Sequence, residues 1–294
     1  MGNPYVISAE LDLANTELER IVRPERIEGF RESLDASLRD IGKNTVWVSS
    51  DAIQTGLEFA ISKTKLPVVS LDDRYVTSAD EYIGLSRGID EQLNDIGYVP
   101  RVGYPPIEQQ LGKVATLGSE IVIADDVLFS GGMISWLANA LEPYGVRIGG
   151  FVCGIAIREG TDKMQAKGID IEAVRAFDGI EDEICERDFA VVTGSGRRID
   201  SIATNALYFD PTNGNPSKWA SIPPERVEDF ARSSYLRSAK LIKPELCFRD
   251  IGNFYGWDSS MNVVESLKKA AMWAYARARG VPPVFYVTRG ANNA

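Results

Sequence analysis

Two adjacent carboxylates at the end of an apolar run, Asp125 and Asp126, carry the clearest chemistry in this sequence. The segment from Ile121 to Met133 reads Ile-Val-Ile-Ala-Asp-Asp-Val-Leu-Phe-Ser-Gly-Gly-Met. Its apolar residues predict a buried strand over Glu120 to Ala124, and the turn Ser130-Gly131-Gly132 opens a helix to Leu141. A helix that begins beyond the carboxyl end of a parallel strand points unpaired N–H groups and its positive dipole end into the ligand crevice of an open α/β sheet. Gly131 and Gly132 let the backbone close on a phosphate with no Cβ in the way, and Ser130 adds a hydroxyl donor. Carboxylates on the same crevice can accept hydrogen bonds from vicinal sugar hydroxyls or hold the water shell of a Mg2+ ion. An Asp-Asp pair alone suits any solvated strand end. With the small turn and helix at this spacing, the pattern predicts a receptor for a sugar 5-phosphate.

None of the 294 residues is histidine. That excludes Ser-His-Asp and Cys-His catalysis, an HExxH zinc site and C2H2 fingers. Any chemistry must use carboxylates, Lys, Arg, Tyr, hydroxyls, backbone amides or a bound metal. The formal net charge of −10 argues against affinity gained by coating a nucleic-acid backbone, so no nucleic-acid partner is expected. Cys153, Cys185 and Cys247 are far apart and form no CxxC pair, which predicts free thiols in a reducing compartment. The first twenty residues lack a basic region followed by an apolar run, and no stretch approaches 18 apolar residues. A cytoplasmic chain with no membrane partner is expected.

The elements that must position the site follow from periodicity. Residues 16–42 read as helix, with Ile27, Phe30, Leu34, Leu38 and Ile41 at helical spacing. Thr45 to Ser49 reads as a buried strand, Asp51 to Lys63 as a helix capped by Asp51, and Leu66 to Leu71 as a second strand. Residues 84–106, with four glycines and three prolines, show little apolar periodicity and read as a long loop or mobile arm. After the central strand and helix come a strand over Ile148 to Ile157, a short helix over 161–168 and a strand over Ile169 to Val174. Strand, helix, strand with short links predicts βαβ units and a parallel sheet. Phe189 to Thr193 is strand-like, residues 205–222 are loop-rich, and helices are expected at about 223–241 and 261–279.

The central segment resembles the PRPP-binding motif of the type I phosphoribosyltransferases, in which two acidic residues precede a short phosphate loop. Ile107 to Leu111 and Leu117 to Glu120 upstream, and Ala156 to Gly160 with Lys167 to Ile171 downstream, are similar to orotate-type members. The strong resemblance covers about residues 107–183, and a weaker one reaches back to Thr45. It implies an α/β, parallel-sheet type I phosphoribosyltransferase fold over 44–187. An N-terminal helical segment (1–43) precedes it, and residues 188–294, which carry no such resemblance, read as a C-terminal α+β extension packing on the core. By resemblance, Asp125 and Asp126 are the catalytic and metal-associated residues, at the ribose hydroxyls. Phe129, Ser130, Gly131, Gly132 and Met133 wrap the 5-phosphate. Ser50 and Asp51, in the loop Ser49 to Thr55, and Arg74 contact pyrophosphate. Arg87, Arg101 and Tyr104 belong to the flexible loop. The implied reaction is displacement of pyrophosphate from C1 of PRPP by a nitrogenous base, with Mg2+ as cofactor, in a homodimer.

Phe129 and Met133 stand where the family usually has polar residues, and an acidic base of the purine-salvage kind is missing at Phe129. A non-catalytic PRPP or nucleotide-binding regulator on the same fold is therefore the alternative. A haloacid-type phosphate-ester hydrolase would need an Asp-x-Asp strand near the N-terminus, and none is present. Other features read as structure: the turn Thr193 to Arg198, Trp219 as an anchor, Val263 to Tyr275 as a packing stripe, and the acid-rich Asp178 to Glu186 as a solvated face.

Overall fold

Tyr5-Val6-Ile7-Ser8 is a run of four residues that folding removes wholly from water. They form β1 (Tyr5–Ser8), inside the segment expected to be helical only. The computed structural model describes residues 2–13, 24–101, 103–190, 196–199, 204–211 and 214–242. The expected helix at 261–279, the stripe Val263 to Tyr275, Cys247, and most of the glycine-rich turn at 193–195 lie outside them. Strand β1 is the centre of a three-stranded parallel sheet between β2 (Thr45–Val48) and β10 (Asp182–Cys185). Helix α1 (Pro24–Asp40) buries Ile27, Phe30, Leu34 and Leu38 beside this sheet, as its 3–4 spacing requires. The acid-rich stretch ending at Glu186 is thus not a solvated face: Ile184 and Glu186 are buried, because β10 pairs with a fully interior strand.

A second, five-stranded sheet is parallel throughout, in the order β4 (Glu81–Tyr82), β3 (Val68–Ser70), β7 (Glu120–Leu128), β8 (Arg147–Ile157), β9 (Asp170–Phe177). Its βαβ crossovers are α4 (Gly132–Leu141) between β7 and β8, and α5 (Arg158–Gln165) between β8 and β9. This is the α/β architecture the periodicity predicts. The central strand β7 carries both faces of the fold. Ile121 and Ile123 pack with α3 (Ile107–Val114) and α4; Val122 and Ala124 pack with α2 (Ser50–Lys63) and residues of β1 and β2. The strand is longer than its apolar run predicts, ending at Leu128 rather than Ala124, because its pairing with β8 continues to Leu128 opposite Ala156.

Most of residues 85–100 are held by strand pairing rather than left as an arm. Strands β5 (Leu85–Ile89) and β6 (Asp95–Pro100) form an antiparallel hairpin with Arg87 opposite Tyr98. Helical periodicity is absent there because the period is that of a hairpin, and Gly88 is needed for closeness: a Cβ would sit 2.7 Å from Val99. Strands β11 (Arg197–Ile199) and β12 (Thr204–Ala206) extend it to a four-stranded sheet, β12-β11-β5-β6. The chain then passes through α6 (Pro216–Trp219) into α7 (Val227–Ile242), which packs on α1. The expected strand at Phe189 to Thr193 is replaced at its start by a 3-10 turn over Glu186–Phe189.

Candidate functional site

The turn after β7 is built against α5. Gly131 adopts φ +69 as the residue before α4, a left-handed conformation that favours glycine, and a Cβ there would fall 2.7 Å from the Met164 Cε. At Gly160, a Cβ would collide with the Phe129 carbonyl oxygen, and Lys163 Nζ donates to the Ser130 carbonyl at 3.2 Å. The first turn of α4 has no side-chain cap and no acidic residue. Its leading N–H groups therefore have the orphan character that suits an anion.

A cavity of about 200 Å3 opens over this turn. It is lined by Asp125, Asp126 and every residue from Val127 to Ile134, by Leu71 and Leu85, and by Arg87, Tyr98 and Arg101 from the hairpin. The structure thus brings together the two aspartates, the turn and two of the three hairpin residues singled out in the sequence. Arg101 is anchored, donating to Asp73 Oδ1 at 3.1 Å and to the carbonyl of Leu71 at 3.2 Å. Tyr104 does not line the cavity; its hydroxyl donates to Asp73 Oδ2 at 3.1 Å and its ring fills the space above Gly84. Burial and Asp73 push its phenol up to about 12.

The two aspartates do not act as a matched pair. Because they sit within β7 rather than beyond its end, their side chains leave on opposite faces of the sheet. Asp125 opposes Cys153 in register and is 4% exposed, and its Oδ2 has no hydrogen-bond partner. Burial, then Asp126 and Asp72, holds its carboxyl well above the usual carboxylate range. Asp126 faces the three-stranded sheet, where the Cys185 thiol donates to its Oδ2 at 3.4 Å. Burial pushes that thiol up, so Cys185 is a buried donor rather than a nucleophile. Cys153 and Cys185 are both free.

Ser50, Asp51 and Arg74 do not join the cavity. The expected loop Ser49 to Thr55 is the first turn of α2, capped by Ser49, whose hydroxyl accepts the Ala52 N–H at 3.3 Å; Ser50 is buried and Asp51 exposed. The cap is Ser49, not Asp51, because β2 ends one residue before it. Arg74 turns toward a buried ionic cluster that sequence reasoning missed. There Glu10 meets Arg187 at 3.0 Å, Arg31 forks onto Glu186 at 2.8 and 2.9 Å, and Asp72 Oδ1 accepts the N–H groups of Arg74 and Tyr75. Burial lowers the Arg74 guanidinium from its ordinary value, with Arg187 adding to the effect. Burial raises Glu10 to about 7 against the opposing pull of Arg187. The available signal was positional: Glu10, Asp72 and Arg187 all follow parallel strands at their carboxyl ends.

No family model matches the chain. One curated relative, HGPRTase-like protein 2 of Haloarcula marismortui, is 33% identical over 82 residues, 28% of this chain and 43% of that protein. The chain thus spans less than half the length of the curated relative it matches. Among solved structures, APRTase from Giardia lamblia complexed with 9-deazaadenine is 16% identical, covering 44% of this chain and 80% of that one, with a TM-score of 0.29. Orotate phosphoribosyltransferase from Aeropyrum pernix is 14% identical, over 43% and 68%, with a TM-score of 0.26. Orotate phosphoribosyltransferase from Mycobacterium tuberculosis, in complex with PRPP, is 13% identical, over 56% and 96%, with a TM-score of 0.29. The printed name of the curated relative, an HGPRTase-like protein, agrees with the resemblance to phosphoribosyltransferases read from the Asp-Asp motif.

Proposed function

We propose that the chain binds PRPP, or a nucleoside 5′-monophosphate, in the cavity over the Ser130 to Gly132 turn and transfers the phosphoribosyl group to a nitrogenous base. The observation that carries this reading is the convergence in one cavity of an uncapped helix start, an unpartnered buried carboxylate oxygen on Asp125 and the guanidinium groups of Arg87 and Arg101. The amides of Gly131 to Met133 hold the 5-phosphate; Asp125 takes a ribose hydroxyl; Arg87 and Arg101 balance the charge of the leaving pyrophosphate. Charge that develops on the ribose ring and leaving group is stabilised by position and electrostatics, which requires no histidine.

Mg2+ fits this donor set as a shared ion. Among the described residues no three acidic or cysteine side chains converge on one metal position. The unpartnered Asp125 oxygen is a hard oxygen donor, and Mg2+ habitually takes one or two carboxylates together with substrate phosphates and water. When bound, it would neutralise pyrophosphate charge.

Calorimetry with PRPP and Mg2+, followed by pyrophosphate release across a panel of bases, tests the proposal. Binding with release supports it, and no binding of PRPP or any nucleoside 5′-monophosphate sinks it. Phe129, more than a third exposed on the phosphate turn, favours a second reading as a non-catalytic PRPP or nucleotide sensor. Binding without release for any base selects that reading.

A further inference from the structure

Arg87 is the exposed cation of the cavity wall, and among the described residues it makes no ion pair or hydrogen bond. Its neighbours across the sheet are specific. Tyr98 lies opposite it on β6 and packs against Trp136 of α4, the rings tilted by 45° with centroids 4.8 Å apart. On the other side, β11 runs parallel to β5 with Arg198 beside Gly88 and Ile199 beside Ile89. Carried one residue back, that register sets Arg197 beside Arg87, with both side chains on one face. Both arginines act on the same phenol: burial raises Tyr208 to about 12, against the lowering effects of Arg197 and Arg87.

Arg197 already occupies the aromatic surface on that face. Its guanidinium stands 4.8 Å from the Trp219 ring and 5.6 Å from the Tyr208 ring, with Asp95 at 3.8 Å. It is held there from several directions. Gly196 takes φ +84, its N–H donates to Asp188 Oδ1 at 2.8 Å, and Arg198 donates to the Pro100 carbonyl at the end of the hairpin. Ile89, Ile199, Ala206 and Trp219 form a small core beneath.

We propose that Arg197 is a positioning residue for Arg87. By filling the faces of Tyr208 and Trp219, and by repelling a second guanidinium from them, it keeps Arg87 extended into the cavity. An arginine beside an empty aromatic face collapses onto it, because the ring quadrupole attracts the cation. The C-terminal strand β11, which lies beyond the region of family resemblance, thereby sets the charge that the cavity presents to an anionic ligand. This rests on the proposed PRPP site for its consequence, but not for its geometry.

The test reads geometry and consequence separately. Arginine side-chain Nε–H signals are recorded for the wild type, Arg197→Ala and Arg197→Lys, with Arg87→Lys serving to assign the Arg87 signal. PRPP with Mg2+ is titrated into each by calorimetry. Arg197→Ala is expected to shift the Arg87 signal by ring current and slow its exchange, and to weaken PRPP by on the order of tenfold. Arg197→Lys, which keeps a cation on the rings, is expected to hold the Arg87 signal in place and lose less than half as much on a logarithmic scale. Should Arg197→Ala fail to fold, Arg197→Lys with Tyr208→Leu, which removes one competing ring, is expected to keep the Arg87 signal in place and to bind PRPP at least as well as Arg197→Lys alone. An Arg87 signal that does not move in Arg197→Ala overturns the proposal, as does a shift with unchanged PRPP affinity. In the fallback variant, a displaced Arg87 signal or PRPP binding weaker than that of Arg197→Lys alone overturns it equally. If the Arg87 signal moves and no form, wild type included, binds PRPP, the positioning stands and the PRPP reading fails.

Discussion

A carboxyl group stripped of water and left without a hydrogen-bond partner is a poor ion, and Asp125 is in that position. Its folded-state carboxyl keeps a proton above the ordinary value of 3.8, so the folded chain binds more protons than the unfolded one as pH rises from there. That contribution to stability is present at low pH and is lost as pH rises toward the raised value. Asp125→Asn removes the burden of an ionising group. The variant is expected to be at least as stable as wild type at pH 8 by thermal melting, while sugar-phosphate affinity drops about tenfold, the worth of a hydrogen bond. Unchanged affinity would place the ligand elsewhere. Glu10 makes the same argument in a narrower window. Its carboxyl titrates at about 7 when folded against 4.5 ordinarily, so stability declines between those pH values by up to about 3 kcal/mol. Glu10→Gln is expected to flatten that decline in urea titrations at pH 5 and pH 7; an undiminished slope would assign the proton to another group.

Glycine content made the Ser130 to Gly132 turn legible at the level of elements, whereas the reason for each glycine was not. Gly131 could be assigned from sequence because a helix start after a strand needs freedom at that point. Gly160 could not, since its role is to let α5 approach the Phe129 carbonyl, a contact between residues thirty-one positions apart. The two positions should respond differently to alanine. At Gly131 the strain of a positive φ costs about 1–2 kcal/mol, and the clashing Met164 methyl can swing away. At Gly160 the Cβ meets backbone, so the turn itself must move. Gly160→Ala is expected to lower the urea midpoint more than Gly131→Ala and to weaken phosphate binding as well; the reverse order would show the turn to be yielding. The same distinction explains the hairpin. Composition flagged residues 84–106 as irregular, but pairing of β5 with β11, more than a hundred residues away, leaves no local trace.

At the scale of the molecule, residues from before position 43 and from beyond position 188 pack together. One hydrophobic core joins Tyr5 and Ile7 of β1 and Phe30, Leu34 and Leu38 of α1 with Phe189, Phe209, Ala220, Phe230, Tyr235 and Leu241 from beyond residue 188. Periodicity revealed α1 and α7 as amphipathic helices without showing that each is the other's partner, because partner choice depends on shape and not on period. The Tyr5 hydroxyl donates to the Ala220 carbonyl at 2.8 Å, a tie across 215 residues. Phe230 sits at the centre of this arrangement, 3% exposed and edge-on to Phe189 with centroids 5.7 Å apart. Truncating it leaves a cavity that α1 and α7 cannot close without shifting, so Phe230→Ala is expected to cost about 3–5 kcal/mol. That is a large share of the stability of an ordinary domain, about 5–15 kcal/mol. If β1, α1 and α7 form one cooperative unit with the site, the loss is felt in hydrogen exchange at Tyr5 to Ser8 and also at Ile121 to Asp125 in the five-stranded sheet. Faster exchange confined to α7 would instead show that this helix unfolds alone and that β1 is held by its parallel neighbours β2 and β10.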